Sequence, residues 1–160
     1  MKRYFLSAWM MLFIATGLCP ARAAPEPDPF LGSWRLDVEA SIYPLGARPK
    51  QMTIEMTLVG NKVQYSSETV YPNGSSMRSK YVSGYDGKEV IVRGTAGMLL
   101  PVSLRRLDAR TVVATYTRSL RVVATSRRVV SADGRVMTIT TSSMDQEGKG
   151  VVTIGLYNKA

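Results

Sequence analysis

The sequence predicts an all-β domain that closes into a single up-and-down antiparallel barrel of about 8–10 strands. Short runs rich in Val, Ile, Thr and Tyr recur along most of the chain, and turn residues separate them. The connections are short, so each strand is expected to pair with the next. No stretch shows apolar spacing of three and four residues over the length of a substantial helix. A two-sheet sandwich is the alternative, but it more often needs long crossing connections.

Residues 1–23 have the features of a secretory signal peptide. Two cations precede an apolar run from Tyr4 to about Leu18, and the small residues of Ala21-Arg22-Ala23 favour cleavage after Ala23. The run is shorter than the roughly 20 apolar residues that cross a membrane. The sequence therefore predicts export to the periplasm or the extracellular space, with no transmembrane span in the mature form.

Cys19 is the only cysteine and lies within this segment. Bacterial lipoproteins are acylated at such a cysteine, but the residue before it is normally small, whereas here it is Leu18. Lipoprotein anchoring is therefore not expected. Cleavage after Ala23 leaves a mature chain without a disulfide, a thiolate metal ligand or a cysteine nucleophile.

Residues 24–30 are predicted to form a proline-rich linker, and residues 31–160 one barrel domain. Pro25, Pro27 and Pro29 fix φ and disfavour both helix and sheet interior. The remaining length suffices for one domain with one core. The formal net charge of +9 is compatible with contact with an anionic surface, although such a charge also serves solubility.

The first strand is expected around Trp34, followed by a short helical turn from Val38 to Tyr43 that Pro44 ends. The second run, QMTIEMTLV at residues 51–59, alternates apolar and polar residues, which indicates one buried face and one solvated face. Its apolar face contains Met52, Ile54, Met56 and Leu58.

Turn residues separate the later strands. Gly60-Asn61 leads into a strand that places Val63, Tyr65, Ser67 and Thr69 on one face, and Pro72-Asn73-Gly74 leads into the next. Further strands are predicted in KEVIVRG, PVSLRRL, TVVATYT, LRVVATSRRVV, RVMTITTS and VVTIGLYNK, with turns at Asp86-Gly87, Ala132-Asp133-Gly134 and residues 145–148.

The early Gly32-Ser33-Trp34 followed by a meander resembles the lipocalin-like, or calycin-type, barrels. The segments GSWRLDVEASIYPLGARPK, YDGKE, SRRVVSADGRVMTIT, DQEGKG and VVTIGLYNK resemble small secreted bacterial proteins of this kind. The resemblance implies that Gly32 and Trp34 form the barrel floor. It also implies that an arginine from a late strand packs over Trp34, either Arg121, Arg127, Arg128 or Arg135.

The chain contains no histidine, which excludes Ser-His-Asp and Cys-His catalysis, His-ligated zinc and His-ligated haem. The paired acids Asp145 and Glu147, or Asp37 and Glu39, are interpreted as turn or capping residues. No phosphate-binding glycine motif occurs. The sequence therefore predicts no cofactor and no metal, and it gives no indication of a nucleic-acid surface.

Arginine is in excess in the second half of the chain. Arg105 and Arg106 must point to opposite faces of their strand, as must Arg127 and Arg128, so one member of each pair can face the interior of the barrel. A buried cation is costly unless a carboxylate or an anionic ligand meets it. A β-bulge or the barrel rim would instead leave both members in solvent.

The interior residues favour ligand binding, because they mix hydroxyl groups and adaptable methionine with apolar side chains. A packed interior with Ser67 and Ser79 facing outward is the alternative. The predicted ligand-binding residues are Tyr65, Ser67, Met77, Tyr81, Arg106 and Arg127.

The predicted function is that of an exported binding protein for a small apolar or amphipathic ligand, including an anionic one, without covalent chemistry. The alternative is an envelope-associated interaction module whose basic face binds an anionic surface or a protein partner. A third hypothesis is an isomerase or cyclase that uses Tyr65, Tyr81 or an interior arginine.

Overall fold

The computed structural model describes residues 27–145 and 147–160, which form a closed antiparallel barrel. Each strand is hydrogen-bonded to the strands before and after it, and the first pairs with the last to close the barrel. The predicted up-and-down barrel is therefore confirmed. Its ten strands are β1 Gly32–Ile42, β2 Gln51–Val59, β3 Lys62–Val70, β4 Ser76–Ser83, β5 Asp86–Gly94, β6 Leu99–Asp108, β7 Thr111–Arg118, β8 Arg121–Val130, β9 Val136–Met144 and β10 Gly150–Lys159.

The predicted signal peptide at residues 1–23, with Cys19, lies outside the described residues, as does the first part of the linker. Within the described ranges, the only helical element is a 3-10 turn at Thr95–Gly97, between β5 and β6. No helix in these ranges is long and apolar enough to cross a membrane.

The predicted helical turn from Val38 to Tyr43 is wrong. β1 continues to Ile42, and its register against β10 shifts between Asp37 and Ile42. The Ser41 hydroxyl donates to the Asp37 carbonyl and accepts the Leu156 N–H at 2.9 Å. These bonds satisfy the backbone in a β-bulge, so the chain needs no helix to bend there.

The two ends of the barrel differ because successive turns of a meander alternate between them. Both described termini and the β2–β3, β4–β5, β6–β7 and β8–β9 turns lie at one end, which we call the floor end. The other end, which we call the mouth, contains the β1–β2, β3–β4, β5–β6, β7–β8 and β9–β10 connections.

Trp34 closes the floor end. Its side chain is fully buried, and its indole N–H donates to the Phe30 carbonyl at 2.9 Å. The ammonium of Lys159 lies 5.1 Å from the centre of the Trp34 ring, in the place where the resemblance implied an arginine. Gly32 has a φ of 118°, which L side chains rarely adopt, and a Cβ there would lie 3.1 Å from Cε of Lys159.

The end of the predicted linker is part of the floor. Phe30 is fully buried, and its ring lies 6.2 Å from that of Tyr85 in an edge-to-face arrangement. Asp28 accepts from the Phe30 N–H at 3.1 Å and forms an ion pair with Arg106. Residues 28–30, at the end of the predicted linker, therefore pack against the barrel.

The predicted inner faces are largely as the alternation indicates. Ile54 and Met56 are buried on β2, as are Val63, Tyr65 and Thr69 on β3. Leu58 is the exception, since it is 60% exposed just before the β2–β3 turn. A period of two assigns a face correctly, but it does not indicate where along a strand the core ends.

Candidate ligand-binding site

Arg128 on β8 is a buried cation inside the barrel. Its side chain is only 2% exposed, and Nη1 donates to the Tyr81 hydroxyl at 2.6 Å. Nη2 donates to the Tyr116 hydroxyl at a longer 3.3 Å. Nε is buried and has no hydrogen-bond partner among the described residues. An unsatisfied buried donor costs about 1–3 kcal/mol, and more for a charged group.

Aromatic rings surround the guanidinium. Tyr65 and Tyr81 face each other across β3 and β4, with ring centres 4.7 Å apart and planes inclined by 10°. Cζ of Arg128 lies 4.8 Å from the centre of the Tyr65 ring and 5.9 Å from that of Tyr81. These contacts favour a cation, because the face of an aromatic ring carries negative potential.

No carboxylate neutralises Arg128 in the part of the chain that the structure describes. The four ion pairs found there involve Arg48, Arg78, Lys88 and Arg106, and each of these joins an acidic side chain elsewhere. Tyrosine hydroxyls accept hydrogen bonds but remain neutral. The interior therefore retains one uncompensated positive charge, which is the arrangement that an anionic ligand group would complete.

Hydroxyl groups lie between this cation and the mouth. The hydroxyls of Ser67 and Ser79 are 2.8 Å apart across β3 and β4, and Thr141 donates to Ser126 at 3.1 Å across β8 and β9. Ser67, Ser79 and Thr141 are half-buried, so solvent reaches them. Hydroxyl groups thus lie on two sides of the barrel, nearer the mouth than Arg128.

Burial controls ionisation in this cluster. It raises the pKa of the Tyr65 and Tyr81 hydroxyls above the ordinary value, and the nearby Arg128 charge opposes only part of that effect. Burial alone would lower the pKa of Arg128, but its tyrosine neighbours hold that pKa well above the ordinary value. The site therefore contains neutral tyrosines and a permanent cation at neutral pH.

The raised tyrosine pKa values predict a loss of stability in alkali. Unfolded tyrosines ionise around their ordinary pKa of 10.0, whereas folded Tyr65 and Tyr81 stay protonated to higher pH. The unfolded state then binds fewer protons, so the free energy of unfolding falls as pH rises above 10, by about 1.4 kcal/mol per pH unit for each such tyrosine. Urea unfolding measured between neutral pH and pH ~11 tests this slope.

Tyr81→Phe should make the fall in the free energy of unfolding with pH less steep, by about 1.4 kcal/mol per pH unit, because phenylalanine has no proton to release. A slope identical in the variant and the original protein would mean that Tyr81 ionises at the same pH in both states.

The predicted site residues occupy four different places. Tyr65, Ser67 and Tyr81 lie together on the inner faces of β3 and β4. Met77 is 40% exposed at the mouth end of β4. Arg106 lies at the floor against Phe30 and Tyr85, and Arg127 is exposed, so neither joins this group.

Arg106 belongs to the floor. Besides its ion pair with Asp28, it donates to the Ala109 carbonyl at 3.2 Å and lies against the rings of Phe30 and Tyr85. Arg127 is exposed on the outer face of β8. The placement of Arg127 inside the barrel is thus wrong, and the buried member of the pair is Arg128.

Sequence reasoning missed several aromatic members of the interior. Tyr116 on β7 contacts Arg128, and the Tyr157 hydroxyl donates to Sδ of Met52 at 3.1 Å. Gly155 makes room for Tyr157, since a Cβ there would lie 2.7 Å from its ring. The sequence does contain a signal for this contact. Tyr157 follows Gly155 by two residues in the same strand, so the tyrosine ring can cover the glycine backbone.

Arg128 is enclosed by the barrel, since it is only 2% exposed. Two pockets of the described surface lie outside the barrel, one of about 550 Å³ beside Glu68 and Arg78 and one of about 760 Å³ below the floor beside Arg106 and Lys159. No cluster of three potential metal-ligating side chains occurs among the described residues.

A closed meander of ten strands around an aromatic interior defines a calycin-type barrel. No protein-family model and no curated protein sequence matches the chain. Solved structures do match it in fold. A Schistosoma mansoni fatty acid binding protein in complex with arachidonic acid is similar over 82% of this chain and 96% of its own, with a TM-score of 0.61 and 17% identity.

A zebrafish ileal bile acid-binding protein complexed with cholic acid is also similar. The match covers 82% of this chain and 99% of the other, with a TM-score of 0.54 and 14% identity. These likenesses show the shared barrel fold. The finer resemblance to small secreted bacterial proteins stays a prediction.

Proposed function

We propose that this protein binds a small amphipathic ligand with an acidic head group, which Arg128 holds inside the barrel. The observation that carries the proposal is the uncompensated guanidinium of Arg128, with a buried Nε–H that lacks an acceptor among the described residues. An anionic ligand oxygen would accept a hydrogen bond from this Nε–H and would at the same time neutralise the guanidinium charge.

The direction of binding follows from the two ends of the barrel. Phe30, Trp34 and the Asp28–Arg106 pair close the floor, so the head group would enter from the mouth. The apolar tail would then lie among the inward side chains nearer the mouth, such as Met52 and Tyr116. Methionine suits tails of differing shape because its side chain is flexible and polarizable.

The two similar structures support this proposal by analogy, since they contain arachidonic acid and cholic acid, which are both amphipathic carboxylic acids. The proposed role is binding without covalent chemistry, as the neutral, deeply buried tyrosines are poor acids and bases at neutral pH. Export through residues 1–23 is part of the same proposal and rests on the sequence pattern alone.

Calorimetric titration of the protein with oleate and with oleyl alcohol tests the head-group requirement. We expect oleate to bind with one ligand per chain and about 10- to 100-fold more tightly than the alcohol, since a hydrogen bond to a charged group contributes about 1.5–3 kcal/mol. Equal affinity for both compounds, or no heat from either, would contradict the proposal. Native mass spectrometry of the purified protein checks independently for a co-purified acid.

A further inference from the structure

The β7–β8 turn at the mouth has a strained backbone and an exposed apolar side chain, and both are unfavourable for the isolated protein. β7 ends at Arg118 and β8 begins at Arg121, so only Ser119 and Leu120 connect them. Both turn residues have positive φ, 50° and 61°, as in the tight hairpin turn that favours asparagine and glycine. A leucine in that conformation is strained and, at this position, fully exposed as well.

The charges flanking this turn are also unfavourable in isolation. Arg118 and Arg121 are directly opposite each other in the hairpin register, and like charges so placed repel. Both are exposed, and neither forms an ion pair with a carboxylate anywhere in residues 27–145 or 147–160. A negatively charged surface against the turn would remove this repulsion.

Neighbouring connections extend the apolar surface around one side of the mouth. The β1–β2, β9–β10 and β7–β8 connections are consecutive around the barrel. Leu45 in the first is fully exposed, Met144 at the second is 67% exposed, and Val122 beside the third is 60% exposed. We call Leu45, Leu120, Val122 and Met144, together with Arg118 and Arg121, the mouth patch.

We propose that the mouth patch docks on an anionic phospholipid bilayer, with Leu120 inserted between head groups and Arg118 and Arg121 bound to lipid phosphates. An anionic bilayer has negatively charged head groups above apolar acyl chains. The exposed apolar side chains of the mouth patch would contact the acyl chains, and the flanking arginines would contact the head groups. A second copy of this chain fits less well, since a two-fold contact would bring the arginines of both mouth patches together.

Other charges near the mouth do not cancel this arrangement. Glu39 is paired with Arg48, and Glu68 with Arg78. Asp145 accepts backbone N–H groups within the β9–β10 turn, and Glu147 and Lys149 in that turn offset each other. Glu89 accepts from the Thr117 hydroxyl at 3.4 Å, next to Arg118. One carboxylate against Arg118 and Arg121 leaves this turn with a net positive charge.

Co-sedimentation with two kinds of vesicle tests the proposal, using protein recovered from expression of the full chain with its N-terminus assigned by intact mass. One vesicle is pure phosphatidylcholine, and the other contains phosphatidylglycerol as well. We expect binding to the anionic vesicles that weakens with added salt. Arg118→Gln with Arg121→Gln should lower that partition coefficient roughly 25-fold, at about fivefold for each cation near an anionic surface.

Leu120→Gly separates docking from folding. Glycine adopts positive φ without strain, so the variant should unfold at an equal or higher urea concentration. Its partition coefficient should nevertheless fall at least about tenfold, because the inserted side chain is lost. Leu107→Asn is the matched control, since Leu107 is 52% exposed at the floor end and its replacement should leave vesicle binding unchanged.

Three results would overturn the proposal. They are no binding of the original protein to anionic vesicles at low salt, equal partition of the original protein and Leu120→Gly, or an equal loss in Leu107→Asn. A solution dimer that Leu120→Gly abolishes, without vesicle binding, would assign the mouth patch to a second copy. Oleate affinity should persist in Leu120→Gly, so failure here is distinct from failure of the proposed ligand site.

Discussion

Trp34→Ala is expected to lower the free energy of unfolding by about 3–5 kcal/mol, the usual cost of truncating a large buried aromatic residue. Trp34 is fully buried against Phe30 and Lys159 at the floor end. Its removal would leave a cavity where β1, β2 and β10 meet, because Trp34 is paired with both Ile54 and Lys159. The strands are hydrogen-bonded around the whole barrel and cannot collapse readily into that space.

Two smaller changes separate the contributions of Trp34. Trp34→Phe keeps an aromatic ring but loses the hydrogen bond to the Phe30 carbonyl, a net effect of about 1 kcal/mol before repacking. Lys159→Met removes the cation above the ring, which contributes about 0.5–1 kcal/mol at an exposed site. Urea unfolding followed by far-UV circular dichroism measures all three. A negligible effect of Trp34→Ala would mean that the floor holds without its tryptophan.

Arg128→Met is expected to lower the affinity for oleate about 10- to 100-fold without lowering the stability of the ligand-free protein. The first effect follows from losing charge-assisted hydrogen bonds to the carboxylate. The second follows because Arg128 is buried without a counter-charge among the described residues. Methionine fills similar volume, and the desolvation cost that it removes offsets the lost hydrogen bonds to the Tyr81 and Tyr116 hydroxyls. Calorimetry and urea unfolding measure the two effects separately.

Arg127→Met is the matched control, because it makes the same change at the exposed neighbouring position. It should alter neither the affinity for oleate nor the stability by more than about 0.5 kcal/mol. If Arg128→Met instead destabilises the protein strongly and leaves oleate binding intact, Arg128 is structural and its tyrosine contacts suffice. Affinity lost in Arg127→Met would place the binding surface outside the barrel.

Most of the fold was predictable because its signals are local. The Gly60-Asn61 and Asp133-Gly134 turns separate strands as expected, and Ile54 and Met56 lie on the predicted inner face of β2. Short turns leave each strand beside its neighbour, so a meander follows directly. The bend after Asp37 was predicted as helix because a β-bulge and a helical turn look alike over so few residues.

The candidate site was less predictable because alternation assigns faces only relative to one another. Inside β8, Ser126, Arg128 and Val130 alternate with Thr125, Arg127 and Val129, and the two sets are equally apolar. Nothing within the strand indicates which arginine enters the barrel. Arg106 shows a related difficulty, since its partner Asp28 is far away in sequence.

By itself, the sequence determined an all-β meander with a tryptophan near its first strand and without histidine chemistry. The tertiary structure alone decided that Arg128 is the interior cation, that Lys159 covers Trp34, and that Leu120 is exposed at the mouth beside two arginines. The physical reason is register. Turns and period-two alternation are fixed by neighbouring residues, whereas the absolute face and depth of a side chain depend on how distant strands pair to close the barrel.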